Sequence, residues 1–204
     1  MSLITDGSKG LFKIAKDKVP LPSINNVFLG GKARHGMIKS LVALNTAIYG
    51  GYLLMSGPQG LLYKKYLTLD GKSSFLSIPL SHFGHTNALT FGLNMTALWT
   101  VGHYHAKRYG CSHLTTVFGL GCAVATGLAL MDVRVNNKQV IAGCTGGTTA
   151  LVTYNLFANP TWFKFARLPP LMWLAALALY GGSFDDKTAI GGLAGGYLAF
   201  ILAL

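Results

Sequence analysis

The chain has 204 residues, 51% of them hydrophobic and only 11% charged, against roughly 25% charged in soluble domains. That composition excludes an ordinary soluble domain, and the length leaves no room for a second domain beside a helical membrane bundle. Lys and Arg outnumber Asp and Glu by 17 to 6, for a net charge of +11, but the cations are spread over successive loops without an aromatic-interleaved basic patch, which excludes a nucleic-acid surface.

Residues 1–36 form a basic leading segment. Leu11, Phe12, Ile14, Ala15 and Val19 set against Lys9, Lys13, Lys16 and Lys18 suit an amphipathic helix on a membrane surface. A solvated leader ending at "PLPS" fits the same residues. "GLFKIAKDKV" is too short and too charged for the apolar stretch of a secretory signal. Arg34 is the lone arginine of this segment, so any mitochondrial address is expected to be internal and uncleaved.

Six apolar windows follow, at 37–56, 84–104, 112–131, 139–158, 168–182 and 188–204. About 20 apolar residues cross a bilayer, so the expected fold is all-α: one six-transmembrane-helix bundle over residues 37–204. The fifth window is short and begins at Pro169-Pro170. The leading segment, Lys107, Arg108, Lys164 and Arg167 fall on one side. Asp70, Asp132, Asp185 and Asp186 fall on the other with fewer cations. Positive-inside counting then puts both termini in the cytoplasm, or in the matrix of a mitochondrion. Lys107, Arg108, Lys164 and Arg167 could also hold anionic lipid head groups such as cardiolipin.

Cys111, Cys122 and Cys144 lack metal or disulfide spacing. His82, His85, His103, His105 and His113 gather around the second span, whereas haem held between helices needs histidines at matching depth on two spans. No metal and no cofactor is therefore expected, and His103, His105 and His113 are given a surface or interfacial role. Asn94 at mid-span is costly unless paired, so it should point into the bundle.

The fourth window carries "VIAGCTGGTTAL", residues 140–151. A phosphate loop would need a Lys followed by Ser or Thr after its last glycine, and no basic residue is present. As a nucleophile, Thr145 or Cys144 would need a base and oxyanion donors. As a packing surface, Gly143, Gly146 and Gly147 can meet Gly191, Gly192, Gly195 and Gly196 of the last window, where two GxxxG pairs interleave. Close backbone approach at small residues is what holds helices together in lipid.

The second window reads "SHFGHTNALTFGLNMTALWTVGHYHAKRYG", and here the chain resembles the rhomboid family of intramembrane serine proteases. The family's second helix has a His, another His five residues on, an Asn four further and a Gly eight beyond. Those positions are His85, Thr90, Asn94 and Gly102. Its Gly-x-Ser-Gly is similar to Gly143-Cys144-Thr145-Gly146, and its Ala-His-x-x-Gly-x-x-x-Gly aligns with "TAIGGLAGG", placing Ala189 at the base. The family's Trp-Arg pair is replaced by Leu76-Ser77, and the acidic residue before the basic loop by Ala106.

In the active family a serine attacks, a histidine of the sixth helix is the base, and helix-2 His and Asn stabilise the oxyanion. His85 and Asn94 are kept, while Thr90, Thr145 and Ala189 replace the other groups. Loss of nucleophile or base removes orders of magnitude of rate. The resemblance therefore implies a pseudoprotease, serving as a structural or accessory subunit of a larger membrane complex, in the mitochondrial inner membrane with a respiratory enzyme or ATP synthase. An alternative is a component of protein translocation or quality control. A weaker one is an active protease using Thr145 or Cys144. The partners implied are other membrane-protein subunits and lipids.

Overall fold

The computed structural model describes residues 31–55, 58–69, 73–136, 142–159 and 188–204, and these are helical nearly throughout. The first helix, α1 (Gly31–Leu54), begins inside the leading segment. Two short helices follow, α2 (Pro58–Leu67) and α3 (Ser77–Leu80). Pro58 suits the first turn, where its missing N–H has no partner to lose.

Asn87 starts the next helix: its Oδ1 accepts from the amides of Leu89 at 2.9 Å and Thr90 at 3.1 Å, pairing two of the orphan donors of a first turn. From there α4 (Ala88–Ala97), a π-helical turn (Leu98–Gly102) and α5 (His103–Tyr109) run on without a break. The run is roughly 30 Å long at the usual helical rise. Gly110 ends it with φ of 94°, in the left-handed region open to glycine. Then come α6 (Cys111–Asn136), α7 (Thr145–Ala158) and α8 (Thr188–Ile201).

Two sets of contacts fix the helix directions. At one end Thr115 meets Met37, Tyr109 pairs with Asn159, and the Tyr154 hydroxyl donates to the Leu204 main-chain oxygen at 3.3 Å. At the other end His82 Nε2 pairs with Thr126 Oγ1 at 2.9 Å, and the Gly143 amide donates to the Ser81 carbonyl at 2.8 Å. So α6 is antiparallel to α7 and α8, while α7 and α8 are parallel to each other. Ile38, Leu98, Val101, Leu114, Val117 and Leu151 are buried in the core between them.

The packing of α8 on α6 and α7 involves no large side chain at its glycines. A Cβ added at Gly192 would stand 2.5 Å from the Gly146 carbonyl oxygen, and one at Gly195 would stand 2.8 Å from the Gly121 Cα. At Gly191 and Gly196 it would collide with the main chain of Ala125 and Ala150. The two interleaved GxxxG pairs thus face two neighbours: Gly191 and Gly195 meet α6, and Gly192 and Gly196 meet α7. Of the glycines around the start of α7, Gly146 lies against α8 and α6. Gly147 turns to Phe118 and Cys122 of α6, and Gly143 lies against His85.

Among the described residues, two helical stretches are long and apolar enough to cross a membrane. They are Gly36–Leu54 and Cys111–Met131, with mean hydropathies of 1.2 and 1.8. The apolar α8 is shorter. At 14 residues α7 reaches only about 21 Å, short of a bilayer core of about 30 Å. It starts later than its apolar window because Gly143 has φ of 107°, which no helix accommodates. The window 168–182 and residues 1–30 of the leading segment lie outside the described residues.

Gly192→Leu or Gly196→Leu should therefore lower stability by at least about 3 kcal/mol, read as a fall in thermal unfolding midpoint in mild detergent. Gly92→Ala is the matched control. A Cβ there meets nothing within 4 Å, so helix propensity should leave it neutral or slightly stabilising, by up to about 1 kcal/mol.

Candidate functional site

The groups aligned with a catalytic centre come from α4, α7, α8 and the turn before α4. Asn94 is fully buried and bridges α4 to α7. Its Nδ2 donates to Thr145 Oγ1 at 3.0 Å, and its Oδ1 accepts from Thr148 Oγ1 at 2.5 Å. Both halves of the amide are thus engaged, and Thr145 and Thr148 are buried with it. The structure brings Asn94 and Thr145 together, with Thr148 as a third member. Thr90, one turn before Asn94, is half-buried and its hydroxyl has no hydrogen-bond partner among the described residues.

His85 is held from several sides. The Tyr63 hydroxyl accepts from the His85 amide at 2.7 Å and donates to its carbonyl at 3.1 Å. Burial pushes the Tyr63 phenol above its ordinary value, which keeps it neutral and able to play both parts. The His85 ring makes edge contacts with Phe91 and Tyr49. Its Nε2 lies 3.2 Å from Asn45 Oδ1. Asn45 Nδ2 is committed to the Leu41 carbonyl at 2.8 Å, so its Oδ1 is the acceptor and the His85 proton sits on Nε2. Nδ1 then carries the lone pair, buried, without a partner among the described residues and close to Gly143.

This geometry does not form a nucleophile–base pair at Thr145. The hydroxyl's neighbour is the Asn94 amide, which cannot take a proton, and the aligned base position on α8 holds the buried methyl of Ala189. Cys144 is buried, with Sγ 3.9 Å from His85 Nε2, the nitrogen already donating to Asn45. Among the described residues, no three His, Cys, Asp or Glu side chains are grouped to hold a metal ion.

Lys107 and Arg108 are exposed at the end of α5. Lys164 and Arg167 lie outside the described residues. Of the surface or interfacial role expected for the histidines, the surface alternative does not hold for His105, which is fully buried and pairs with His113 Nδ1 and Asn155 Nδ2, both at 2.8 Å. His113 is half-buried. The physical reason is that Asn155 of α7 supplies a polar partner at the depth where the histidine enters. An asparagine eight residues after the last glycine of the run, Gly147, was the available sequence signal.

No protein-family model matches the chain. Over 173 residues it is 27% identical to Rhomboid protein 1, mitochondrial, of Saccharomyces cerevisiae, a match covering 76% of this chain and 50% of that protein. The chain thus spans about half the length of the curated relative it matches. The similarity is distant and agrees with the rhomboid resemblance at the level of the superfamily.

Asn94→Ala should cost about 1–2 kcal/mol, because the buried Thr145 hydroxyl loses its partner while Thr148 keeps only the Cys144 and Thr145 carbonyls, whereas Thr145→Ala should cost about 0.5 kcal/mol. Thermal unfolding of the two variants in the same detergent checks the order. An equal loss would mean that Asn94 is not the hub.

Proposed function

We propose that the chain is a rhomboid-like pseudoprotease that crosses the membrane six times and acts as a structural subunit of a larger membrane assembly. The observation that carries this reading is the state of Thr145. Its hydroxyl is tied to Asn94 across two helices while Ala189 stands where a base would be needed. Without a base, a threonine hydroxyl stays protonated near neutral pH and is a weak nucleophile. Nor does α8 leave space for another group to approach from that side, since Gly192 and Gly196 press on the α7 main chain.

The parallel α7 and α8 support six crossings, because two neighbouring helices of the same direction need another passage between them. The exposed apolar side chains of α1 and α8, Leu44, Leu53, Leu54, Ile190, Leu198, Ile201 and Leu202, suit contact with lipid and with other membrane subunits. The mitochondrial inner membrane, with both termini in the matrix, is supported by the basic leading segment and by the mitochondrial relative. On that side the exposed Lys107 and Arg108 suit anionic head groups such as cardiolipin. A respiratory complex or ATP synthase is the proposed assembly.

Purification of the tagged chain from its native membrane in a gentle detergent, followed by a native gel and mass spectrometry, tests the reading. A discrete band of several hundred kilodaltons with stoichiometric partners is expected, unchanged for Thr145→Ala. A band near the 21.7 kDa chain plus detergent, or loss of function in folded Thr145→Ala, would overturn it.

A further inference from the structure

The end of α1 and the helix that follows it share a surface that the bundle does not use. The apolar stretch of α1, Gly36–Leu54, has 19 residues, or about 28 Å at the usual rise, close to the thickness of a bilayer core. Three residues separate Leu54 from Pro58, so α2 starts within about 14 Å of the end of α1. The Tyr63 ring lies 4.6 Å from that of Tyr52, which is in the last turn of α1. The middle of α2 is therefore level with the boundary between acyl chains and head groups.

One face of α2 is fixed inward. Tyr63 is buried, its hydroxyl engaged with both the amide and the carbonyl of His85. The Leu67 carbonyl packs on Gly84, where any Cβ would collide with it. Ser77 Oγ donates to the Lys65 carbonyl at 2.8 Å and joins α3 to the same helix. The opposite face is exposed and interleaves two residue types. At 3.6 residues per turn, Lys64, Leu61, Lys65 and Leu62 follow one another around a single arc. All four are exposed, Leu61 by 67% and Leu62 by 57%. The Lys65 ammonium lies 5.1 Å from the Tyr66 ring, which tethers the charge beside the helix. Among the described residues neither lysine meets a carboxylate.

We propose that this face of α2 is a site for anionic phospholipid in the leaflet at the C-terminal end of α1. Lys64 and Lys65 meet the phosphate, and Leu61 and Leu62 lie among the acyl chains. A protein partner suits the surface less well, because protein interfaces are depleted in lysine. At a bilayer surface a lysine stem lies along apolar groups while its ammonium reaches the head groups. Exposed Leu53, Leu54 and Met55 at the end of α1 carry the same apolar surface toward α2, so lipid against α1 is also lipid beside Leu61 and Leu62. The site is at the opposite end of the bundle from Lys107 and Arg108. It rests on the reading of the chain as a membrane protein and not on its role in an assembly.

The test uses the full chain in lipid nanodiscs, spin-labelled at Leu62→Cys or, in a separate sample, at Leu44→Cys. Both positions are exposed, and the background is Cys111→Ser, the other two cysteines being buried. Power saturation compares oxygen, which concentrates in lipid, with a water-soluble nickel chelate. Both labels should favour oxygen, Leu62→Cys less strongly than Leu44→Cys. Oxygen access at Leu44→Cys with nickel access at Leu62→Cys would overturn the site and leave the membrane reading standing, whereas nickel access at both would overturn both. A bimane at Leu62→Cys then reports the lipid class. Phosphatidylglycerol with brominated chains should quench it more than brominated phosphatidylcholine at equal mole fraction, with a preference of up to about five-fold per lysine. Lys64→Gln combined with Lys65→Gln should abolish that preference. Equal quenching by the two lipids with both lysines in place, or a preference that survives the double variant, would overturn the anionic site.

Discussion

The fold depends on main chain meeting main chain where α6, α7 and α8 converge. Gly121 and Ala125 on α6, Gly146 and Ala150 on α7, and four glycines on α8 leave so little between the helices that one methyl group does not fit at most of these positions. Lipid gives no hydrophobic reason for helices to associate, since the tails are as apolar as leucine. Contact area and short-range dispersion have to do the work. With two GxxxG pairs offset by one residue, α8 presents one face to α6 and the adjacent face to α7, and so closes a three-helix unit.

Polar contacts then fix what the seam leaves free. Asn94 ties α4 to the start of α7, Asn45 and Tyr63 fix His85, and Asn155 ties the end of α5 to α7. Each is an amide or phenol with donor and acceptor ends, so each can settle the orientation of its partner as well as its distance. Buried polar pairs of this kind do not add greatly to stability in membranes, but they give the packing a single register. At Thr145 that has a chemical consequence: the residue aligned with a nucleophile is a hydrogen-bonded part of a helix contact.

Much of this could be read from the sequence because it depends on local pattern. Apolar windows mark α1, the α4–α5 run, α6, α7 and α8. The glycines of 191–196 announce close approach, and the order of His85, Asn94, Gly143 and Gly192 carries the resemblance. Other features depend on tertiary contacts. His105 looks like an interfacial histidine until Asn155, on another helix, gives it a partner. The π-helical turn at Leu98–Gly102 has no signature in LWTVG. The late start of α7 depends on the backbone angle of Gly143, which hydropathy does not register. Gly146 and Gly147 are neighbours in sequence and both lie against α6, yet only Gly146 is also met by Gly192 of α8, and only the helix phase decides which.

The parallel pairing of α7 with α8 bears on how the protein is made. The antiparallel α6 and α7 are consecutive among the described helices and can pack as soon as both are made. Their glycine-lined groove has no partner until α8 arrives from later in the chain, and helices joined over a longer separation meet more slowly. During that interval the groove presents bare backbone to lipid, the surface on which any foreign helix with a small-residue face could settle. Synthesis order therefore leaves a period of vulnerability that ends when α8 docks.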